Sequence, residues 1–438
     1  MRRRAGELQA DTVCSFPMVF FARAAAASLL FVIVAPVIAA TYSVLDLGTL
    51  GGSASAGNAL NQAGQVTGTA FLETDAMQTA FITGGDGAPP LRSLGTLGGT
   101  ESFGQSIDAT GRVAGSSRID AGSSFRAFLS EPDGGALVNL GTLGGVTSYG
   151  FGANGTGQVA GYSLTTGNSA THAFISEAGG AALRDLGTLP GGATSFGQGV
   201  NASGQVTGYS STGSGNRAFI TEVNGGALRN LGTLGGRFSF GTGINDAGMV
   251  TGRSETTTSG QHAFRTGPNG GPMLDLGTLG GFSSFGQAIN NNGDVVGYSY
   301  LTDNSTEHAF IYTTTGGMVD LNLRVRSTVA WTLREARGIN DRGQITGVGF
   351  VGGETHAFLL TVVPDELRIT SVTRLPNGHI LVQGLGTPAQ SYMVQVSTNS
   401  QSSFAQVATV TAENNGSVQF EDADALNFGR RFYRFVAL

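Results

Sequence analysis

The residues of this chain most able to do chemistry are four histidines, each of which begins a His-Ala-Phe triplet. Neutral imidazole is the commonest protein ligand for metals, so histidines repeated around a ring would suit a metal ion. Three equivalent positions hold Thr79, Arg126 and Arg217 instead, and histidines on separate repeats would point apart. We therefore predict no metal and a structural role in which each histidine bonds to a neighbouring turn. The four histidines are His172, His262, His308 and His356.

Carboxylates form a second pattern, Asp-Leu-Gly, but other polar residues replace the aspartate in several copies. A polar side chain therefore suffices at this place, which argues against acid–base catalysis. The chain also has no serine nucleophile elbow, and its glycine-rich loops lack a βαβ setting. We predict neither an enzyme nor a cofactor. The aspartates are Asp46, Asp185, Asp275 and Asp320, and the replacements are Ser93, Asn139 and Asn230.

Calcium binding stays open on the sequence alone. Glu421, Asp422 and Asp424 form an acidic turn near the carboxyl terminus, but no EF-hand loop is present.

The segment Leu-Gly-Thr-Leu-Gly-Gly organises the elements that carry these residues. It begins at Leu47 and recurs, with a variant at Leu186 and a worn copy around Leu321, at steps of 47, 46, 46, 45, 45 and 45 residues. A fixed period of this size is typical of a repeat architecture. The intact later copies begin at Leu94, Leu140, Leu231 and Leu276.

Each period also contains a Ser-aromatic-Gly element, an Asn-x-x-Gly turn and an Ala-Phe pair. Asparagine bonds to backbone two residues on and glycine accepts positive φ, so this turn predicts a hairpin. The short apolar runs around it predict four strands per period, which is the composition of a propeller blade. The second repeat has Asp108 at the turn. The structural asparagines are Asn61, Asn154, Asn201, Asn245, Asn290 and Asn340.

The strand count favours a closed ring. Thr41–Leu47 is a lone fourth-type strand, and the last repeat lacks a fourth strand, so the first strand completes the last blade. The prediction is an all-β fold: a seven-bladed β-propeller of four-stranded blades over 41–361, closed by the amino-terminal strand. A linker at 362–366 and a small β-sandwich at 367–438 follow. An open solenoid is the alternative.

Residues 1–40 differ from the rest and read as a signal peptide. Arginines precede an apolar run from Ala24 to Ala40, which ends in small residues. An uncleaved membrane anchor and a true start at Met18 stay open. The single cysteine, Cys14, lies in this segment, so the mature chain is expected to have no disulfide. Net charge is −6 and the chain has no clustered basic surface, which argues against nucleic-acid binding.

One loop departs from the repeat. The segment from Leu321 to Gly343 is longer than its six counterparts, and it contains Arg324, Arg326 and the only tryptophan, Trp331. Functional residues often occupy loops that break a regular scaffold, so these three form a candidate binding site. The alternative is that Trp331 plugs the closure of the ring.

Together, the His-Ala-Phe triplets, Leu-Gly-Thr-Leu-Gly-Gly and Ile-Asn-x-x-Gly-Gln-x-x-Gly resemble the HAF-repeat family of bacterial extracellular proteins, over residues 42–361. The tail, which ends Phe432-Tyr433-Arg434, is similar to a fibronectin-type-III-like module. This resemblance implies export and a repeat scaffold, and it implies no catalytic activity.

These observations predict a secreted or cell-surface protein that acts as a non-enzymatic scaffold or binding module. A carbohydrate-recognising propeller is the alternative, and an extracellular polysaccharide-acting enzyme ranks below it because no convergent carboxylates are evident. The expected partner is an unidentified extracellular ligand, glycan or protein. Membrane contact is expected only through an uncleaved signal segment.

Overall fold

A computed structural model describes residues 40–122, 124–363, 367–386, 390–398, 404–413 and 416–437. The predicted signal peptide, apart from Ala40, lies outside the described residues. Chain contacts divide the protein into two compact units, of which the larger spans Val37–Pro364 and the smaller includes Asp365–Leu438. Among the described residues, no helix is long and apolar enough to cross a membrane.

The larger unit consists of short antiparallel strands joined by tight turns. It opens with β1 (Thr41–Gly48), followed by β2 (Gly51–Leu60), β3 (Val66–Leu72), β4 (Gln78–Ile82) and β5 (Arg92–Ser93). Next come β6 (Ser102–Ile107), β7 (Val113–Arg118), β8 (Phe125–Ser130), β9 (Leu137–Asn139), β10 (Gly144–Ala153), β11 (Val159–Thr165), β12 (Thr171–Ser176) and β13 (Leu183–Asp185). The next eight are β14 (Ser195–Val200), β15 (Val206–Thr212), β16 (Gly215–Thr221), β17 (Leu228–Asn230), β18 (Gly235–Ile244), β19 (Val250–Thr256), β20 (Gln261–Thr266) and β21 (Met273–Asp275).

The unit closes with β22 (Ser284–Ile289), β23 (Val295–Tyr300), β24 (Glu307–Thr313), β25 (Gly317–Asp320), β26 (Val325–Arg326), β27 (Trp331–Ile339), β28 (Ile345–Val351) and β29 (Glu354–Val363). No α-helix occurs among the described residues of this unit, and single 3₁₀ turns lie at Gly85–Gly87, Pro132–Gly134, Thr166–Asn168, Ala178–Gly180 and Leu321–Leu323. The predicted all-β fold built from four-stranded units is therefore confirmed.

Five of the sheets are separate four-stranded meanders: β6 to β9, β10 to β13, β14 to β17, β18 to β21 and β22 to β25. The remaining strands form one nine-stranded sheet, because two four-stranded sets share a bridge between Ala54 and Thr355 and β26 pairs with β1 as the ninth strand. In this sheet β1 pairs with β29 along seven residue pairs, although more than 300 residues separate them in sequence. The two ends of the larger unit are thus joined by a strand ladder.

The Asn-x-x-Gly segments form the predicted hairpin turns. At Asn61 the side-chain oxygen accepts the backbone N–H groups of Ala63 and Gln65 at 3.0 and 3.1 Å. The N–H of Gly64 closes the turn on the Asn61 carbonyl at 3.0 Å, and Gly64 has φ +73°, a region that favours glycine. Local side-chain bonding and one left-handed residue therefore explain why β2 reverses into β3.

The same asparagines also join each repeat to the next, a role that the turn motif does not reveal. The Nδ2 group of Asn201 donates to the carbonyl of Asn245 at 3.0 Å, and Asn340 donates to Asn61 at 3.0 Å. Asp108 has no such donor, but Arg112, which is bonded to it at 2.7 Å, donates to Gly155 at 3.0 Å. The links Asn61 to Asp108, Asn154 to Asn201, Asn245 to Asn290 and Asn290 to Asn340 complete the circuit.

The core lies between successive sheets. The phenylalanine of each Ala-Phe pair has 0% of its surface exposed and packs against the preceding repeat. Phe128, for example, contacts Ala80 and Ile82 of the repeat before it. Burial of each such ring contributes roughly 1.5–3 kcal/mol, so no single sheet is stable without its neighbour. The seven rings are Phe81, Phe128, Phe174, Phe219, Phe264, Phe310 and Phe358.

The smaller unit holds two three-stranded sheets, ordered β30-β31-β34 and β33-β32-β35. Side chains of both sheets, including Val382, Tyr392, Val418 and Phe435, form one buried cluster. A 3₁₀ turn spans Ala423–Asn427. The strands are β30 (Arg368–Arg374), β31 (Ile380–Leu385), β32 (Ser391–Ser397), β33 (Ala405–Thr411), β34 (Ser417–Asp422) and β35 (Phe432–Ala437).

The predicted linker, 362–366, begins two residues too early. Val362 and Val363 continue β29, because their backbones pair with Tyr42 and Thr41 of β1. Residues 364–366 lie outside the described residues.

The second repeat suggests a test of the inter-repeat bonds. Replacing Asn201 with Asp removes the donor to Asn245, and we expect it to lower the free energy of unfolding by about 2–3 kcal/mol. Adding Gln205→Arg to N201D recreates the Asp108–Arg112 pair and should recover at least half of this loss. Denaturant unfolding of both variants, with Q205R alone as the control, measures the effect. A double variant no more stable than N201D would contradict the assigned role of Arg112.

Candidate functional site

The connections of the larger unit alternate between two ends of its strands. The Asn-x-x-Gly turns share one end with the turns after the third strand of each set, since Gly87 donates to Gly64 at 3.0 Å. The Leu-Gly loops and the hairpins after the second strand lie at the other end, which we call the loop end. Hairpin length there varies from two residues after β15 to six after β23. Functional groups concentrate on such variable loops.

The four repeat histidines each bond to a carboxylate on the neighbouring fourth strand. At His262, Nδ1 lies 2.9 Å from Asp275, and both side chains are partly exposed. The prediction that the histidines contact a turn is therefore corrected: the neighbour is a strand residue, and the aspartate in turn accepts the N–H of Gly277 at 2.8 Å. The other pairs are His172–Asp185 at 2.8 Å, His308–Asp320 at 2.6 Å and His356–Asp46 at 2.9 Å.

Repeats without the histidine also lack the aspartate. Thr79 bonds to Ser93 at 2.8 Å, while Arg126 and Arg217 donate to backbone carbonyls of the next repeat. The two positions therefore vary as a pair, which indicates a stabilising contact. No group of three or more potential metal ligands occurs among the described residues.

A row of aromatic rings crosses five consecutive repeats at the loop end, and the guanidinium of Arg253 bridges the gap in it between Phe240 and Phe285. We call this row, together with Arg253, the aromatic belt. In the third to fifth repeats, the first-strand ring faces a second-strand residue of its own sheet, which contacts the first-strand ring of the next sheet. In the second repeat, Phe103 instead contacts Phe125 on the third strand, and Phe125 contacts Tyr149. Ring centroids along the belt are 4.6–5.9 Å apart. Its rings are Phe103, Phe125, Tyr149, Tyr162, Phe196, Tyr209, Phe240, Phe285 and Tyr298.

The sequence motif supplies half of the belt. Ser-aromatic-Gly places the first-strand rings, whereas the second-strand members follow a glycine in segments such as Val159–Tyr162. That glycine has a steric reason: a Cβ at Gly252 would collide with the carbonyl oxygen of Phe240 on the paired strand. The belt ends where Ala56 and Glu335 replace the first-strand ring. A Val-x-Gly-Tyr pattern, which follows Ser-aromatic-Gly in three repeats, would have revealed the tyrosines of the second row.

The tyrosine hydroxyls of the belt are available to a ligand. Those of Tyr149, Tyr162, Tyr209 and Tyr298 have no hydrogen-bond partner within the described part of the chain. Partial burial raises the pKa of Tyr162 and of Tyr298 to about 12, so both are protonated donors at neutral pH. Tyr300 differs, because a bond to Glu307 is the main cause of its raised pKa.

The predicted binding residues of the long loop lie beside the closing strand. Val325 and Arg326 pair with Tyr42 and Ser43 of β1, and the carbonyl of Arg324 accepts the N–H of Tyr42 at 2.8 Å. Trp331 packs edge-on against Phe358 at 6.2 Å. It also lines a cavity of about 200 Å³ with neighbours from the same loop. The structure brings Trp331 to this cavity and places the two arginines in backbone contact with β1.

The other end of the strands, which carries the Asn-x-x-Gly turns, holds a wider cavity of about 270 Å³. All seven sequence repeats contribute residues to this cavity. Its polar side chains bond to neighbouring repeats: Asp246 accepts the N–H of Ala202 at 3.0 Å, and Asp341 accepts the N–H of Asn291 at 2.7 Å. These groups already stabilise the circuit, so we place the candidate site at the aromatic belt.

The carboxylates of the acidic turn in the smaller unit are likewise bonded to other side chains of the protein. Asp422 accepts hydrogen bonds from Arg431 at 2.9 Å and from Tyr433 at 2.8 Å, and Glu421 lies 2.6 Å from His379. Burial and the bond to Asp422 raise the pKa of Tyr433.

Separate four-stranded meanders that follow one another around a circuit define the class of this fold as a β-propeller. TolB from Acinetobacter baumannii is similar with a TM-score of 0.43 and 13% identity, over 58% of this chain and 62% of that chain. Puromycin hydrolase is similar with a TM-score of 0.45 and 15% identity, over 77% of this chain and 59% of that chain. The β-propeller domain of the Trilobed protease from Pyrococcus furiosus is similar with a TM-score of 0.41 and 9% identity, over 65% of this chain and 91% of that chain. Neither a family model nor a curated protein matches the sequence.

These similarities concern the fold alone, and the chain spans about three fifths of the length of the first two proteins. Several of the similar propellers belong to proteases or a hydrolase. The prediction of a non-enzymatic scaffold or binding module is contradicted by these neighbours in its non-enzymatic part; they do not bear on whether the chain binds a ligand. Its glycan-binding and polysaccharide-acting alternatives gain no support either.

The histidine–aspartate pairs can be tested with a double-mutant cycle. We expect His262→Ala and Asp275→Asn to show a coupling energy of about 0.5 kcal/mol, because the pair is partly exposed. Thermal and urea unfolding of the two single variants and the double variant provide this value. The same cycle on Arg217 and Asn230, which do not bond to each other, should give a coupling near zero. Equal couplings in the two cycles would refute the pairing.

Proposed function

We propose that the chain is an exported, seven-bladed β-propeller of the HAF-repeat type that recruits an extended, proline-rich polypeptide on its aromatic belt. A fibronectin-type-III-like sandwich forms its carboxyl-terminal unit in this proposal. The observation that carries the function is the row of rings across five repeats, bridged at one point by Arg253, with tyrosine hydroxyls that lack partners among the described residues.

The architectural part of the proposal is supported by the circuit of inter-repeat bonds. Those bonds start at Asn61 and return to it from Asn340, and β1 pairs with β29 in the same sheet. An open solenoid would leave its first and last repeats without a mutual contact. In the smaller unit, two sheets with a shared buried cluster favour a sandwich.

The export part is supported by sequence. Arginines followed by an apolar run and small residues are the order of a secretory signal. The repeated His-Ala-Phe and Leu-Gly-Thr-Leu-Gly-Gly segments resemble those of the HAF-repeat family of bacterial extracellular proteins. Recruitment would then occur outside the cytoplasm.

The belt suits a polyproline II segment for two reasons. Pyrrolidine rings pack on aromatic surfaces. The rings of the belt are partly exposed, and each successive repeat adds a ring on which a further proline can pack. A polyproline II chain has no internal hydrogen bonds, so its carbonyls accept bonds from donors beside the rings. Protonated hydroxyls of Tyr162 and Tyr209 supply such donors on adjacent repeats. A preformed extended segment also loses little conformational entropy when it binds.

Binding of an amidated decaproline peptide tests the function. We expect a dissociation constant of about 100 µM by fluorescence anisotropy, whereas a Gly-Ser decapeptide should not bind. Replacing both Tyr162 and Tyr209 with Phe keeps the rings but removes two donors. Because a neutral hydrogen bond contributes about 0.5–1.5 kcal/mol, this double variant should bind about tenfold more weakly.

Tyr300→Phe is the matched control, since the hydroxyl of Tyr300 is already bonded to Glu307. Its affinity for decaproline should equal that of the wild type. Absence of decaproline binding at millimolar concentration would refute the proposed function, as would equal affinities of the wild type and the Y162F/Y209F variant.

A further inference from the structure

Arg253 is an arginine within the aromatic belt that forms neither a salt bridge nor a hydrogen bond with any described residue. Its guanidinium lies 4.7 Å from the ring centre of Phe240 and 5.3 Å from that of Phe285. The Nε atom is buried without a partner. An arginine stays charged at all physiological pH values, so the belt carries a fixed positive charge whose N–H donors are not used by the protein.

Several other arginines near the belt have carboxylate partners. Arg118 also lies over a ring of the belt, that of Phe125 at 4.8 Å, but it is bonded to Glu101 at 2.6 Å. Arg334 is paired with Glu307 at 3.0 Å, and Arg337 with Glu335 at 2.9 Å. The contrast makes Arg253 an exception within its own repeat pattern, because tyrosines stand at the equivalent positions 162, 209 and 298.

Two tyrosines lie beside the rings that Arg253 contacts. Burial raises the pKa of Tyr209 and of Tyr298, and the charge of Arg253 partly opposes this rise. Tyr209 contacts Phe240 at 4.9 Å and Tyr298 stacks on Phe285 at 4.6 Å, so the four rings and the guanidinium form one cluster. The cluster therefore joins a cation, two protonated donors and apolar ring surfaces.

We propose that this cluster is a binding site for a carboxylate, with Arg253 as the anchoring residue. A carboxylate matches the planar guanidinium, whose terminal N–H groups donate in a two-bonded fork. The hydroxyls of Tyr209 and Tyr298 add donors at the sides, and the rings favour a ligand whose body is apolar. This inference rests on the proposed function in one respect, namely that a recruited polypeptide would present the carboxylate at its carboxyl terminus.

The charge of the surroundings favours a monoanion. Glu307 and Glu335 both act electrostatically on Tyr298, and each lies in an ion pair with an arginine. These carboxylates repel a doubly charged phosphate more strongly than a singly charged carboxylate. We therefore expect selectivity for carboxylate over inorganic phosphate.

Benzoate provides a probe that is independent of any peptide. We expect isothermal titration calorimetry to detect benzoate binding to the wild type, and benzamide, a neutral molecule of the same shape, to bind at least tenfold more weakly. Arg253→Met should weaken benzoate binding at least tenfold. Arg118→Met, which removes an arginine outside the cluster that already has a carboxylate partner, should leave it unchanged. Circular dichroism and thermal unfolding check that both variants fold.

If R253M fails to fold, Tyr209→Phe serves as the second variant, with an expected three- to tenfold loss of benzoate affinity. Equal binding of benzoate and benzamide, unchanged benzoate affinity in R253M or Y209F, or binding of phosphate without benzoate would each overturn the carboxylate site.

Decaproline separates this site from the proposed function. With a free carboxyl terminus it should bind more tightly than its amide, and R253M should abolish only that difference. Benzoate binding that depends on Arg253, without any decaproline binding, would leave the carboxylate site standing and refute polypeptide recruitment.

Discussion

The structure depends on the buried hydrogen bond by which an asparagine of one repeat donates to the backbone of the next. The side chains of Asn201 and Asn245 are almost fully buried, so their polar atoms need partners within the protein. Each amide uses its oxygen for the turn of its own hairpin and its nitrogen for the next repeat. Local folding and assembly are therefore coupled through one side chain, and no repeat satisfies its own polar groups alone.

A second inter-repeat bond follows the same logic at the other end of the strands. The hydroxyl of Ser284 accepts the N–H of Ala263 in the preceding repeat at 2.8 Å and donates to the carbonyl of Gly277 at 2.6 Å. Serine, Ala-Phe and the Leu-Gly loop thus meet at one point, which explains why these three segments recur with one period. Asp275 holds the same loop through Gly277. The repeated segments stabilise contacts between repeats, and this leaves the aromatic positions beside them free to vary.

The strands and turns of this fold are predictable from sequence because they depend on local chemistry. Alternating apolar residues, Asn-x-x-Gly turns and a lone first strand are sufficient to predict four-stranded units and the pairing of Thr41–Leu47 with the last repeat. The histidine partners are harder to predict, since Asp275 lies on another strand and only the paired absence at Thr79 and Ser93 would have pointed to it. Val362 and Val363 extended β29 because β1 continued to offer backbone partners, a contact between residues far apart in sequence.

The belt and Arg253 depend on contacts that no single repeat contains. A ring of one sheet touches its own second strand and the first strand of the next sheet, so the row exists only when the repeats are assembled. In sequence, Arg253 is one of several scattered arginines and looks like a solvated surface charge. Its setting between Phe240 and Phe285 replaces water with ring faces, which attract the cation but offer no acceptor for its N–H groups. The charge of Arg253 is stabilised by the ring faces, but its N–H groups have no acceptor. Arg118 differs, because its N–H groups are bonded to Glu101 and Gly122.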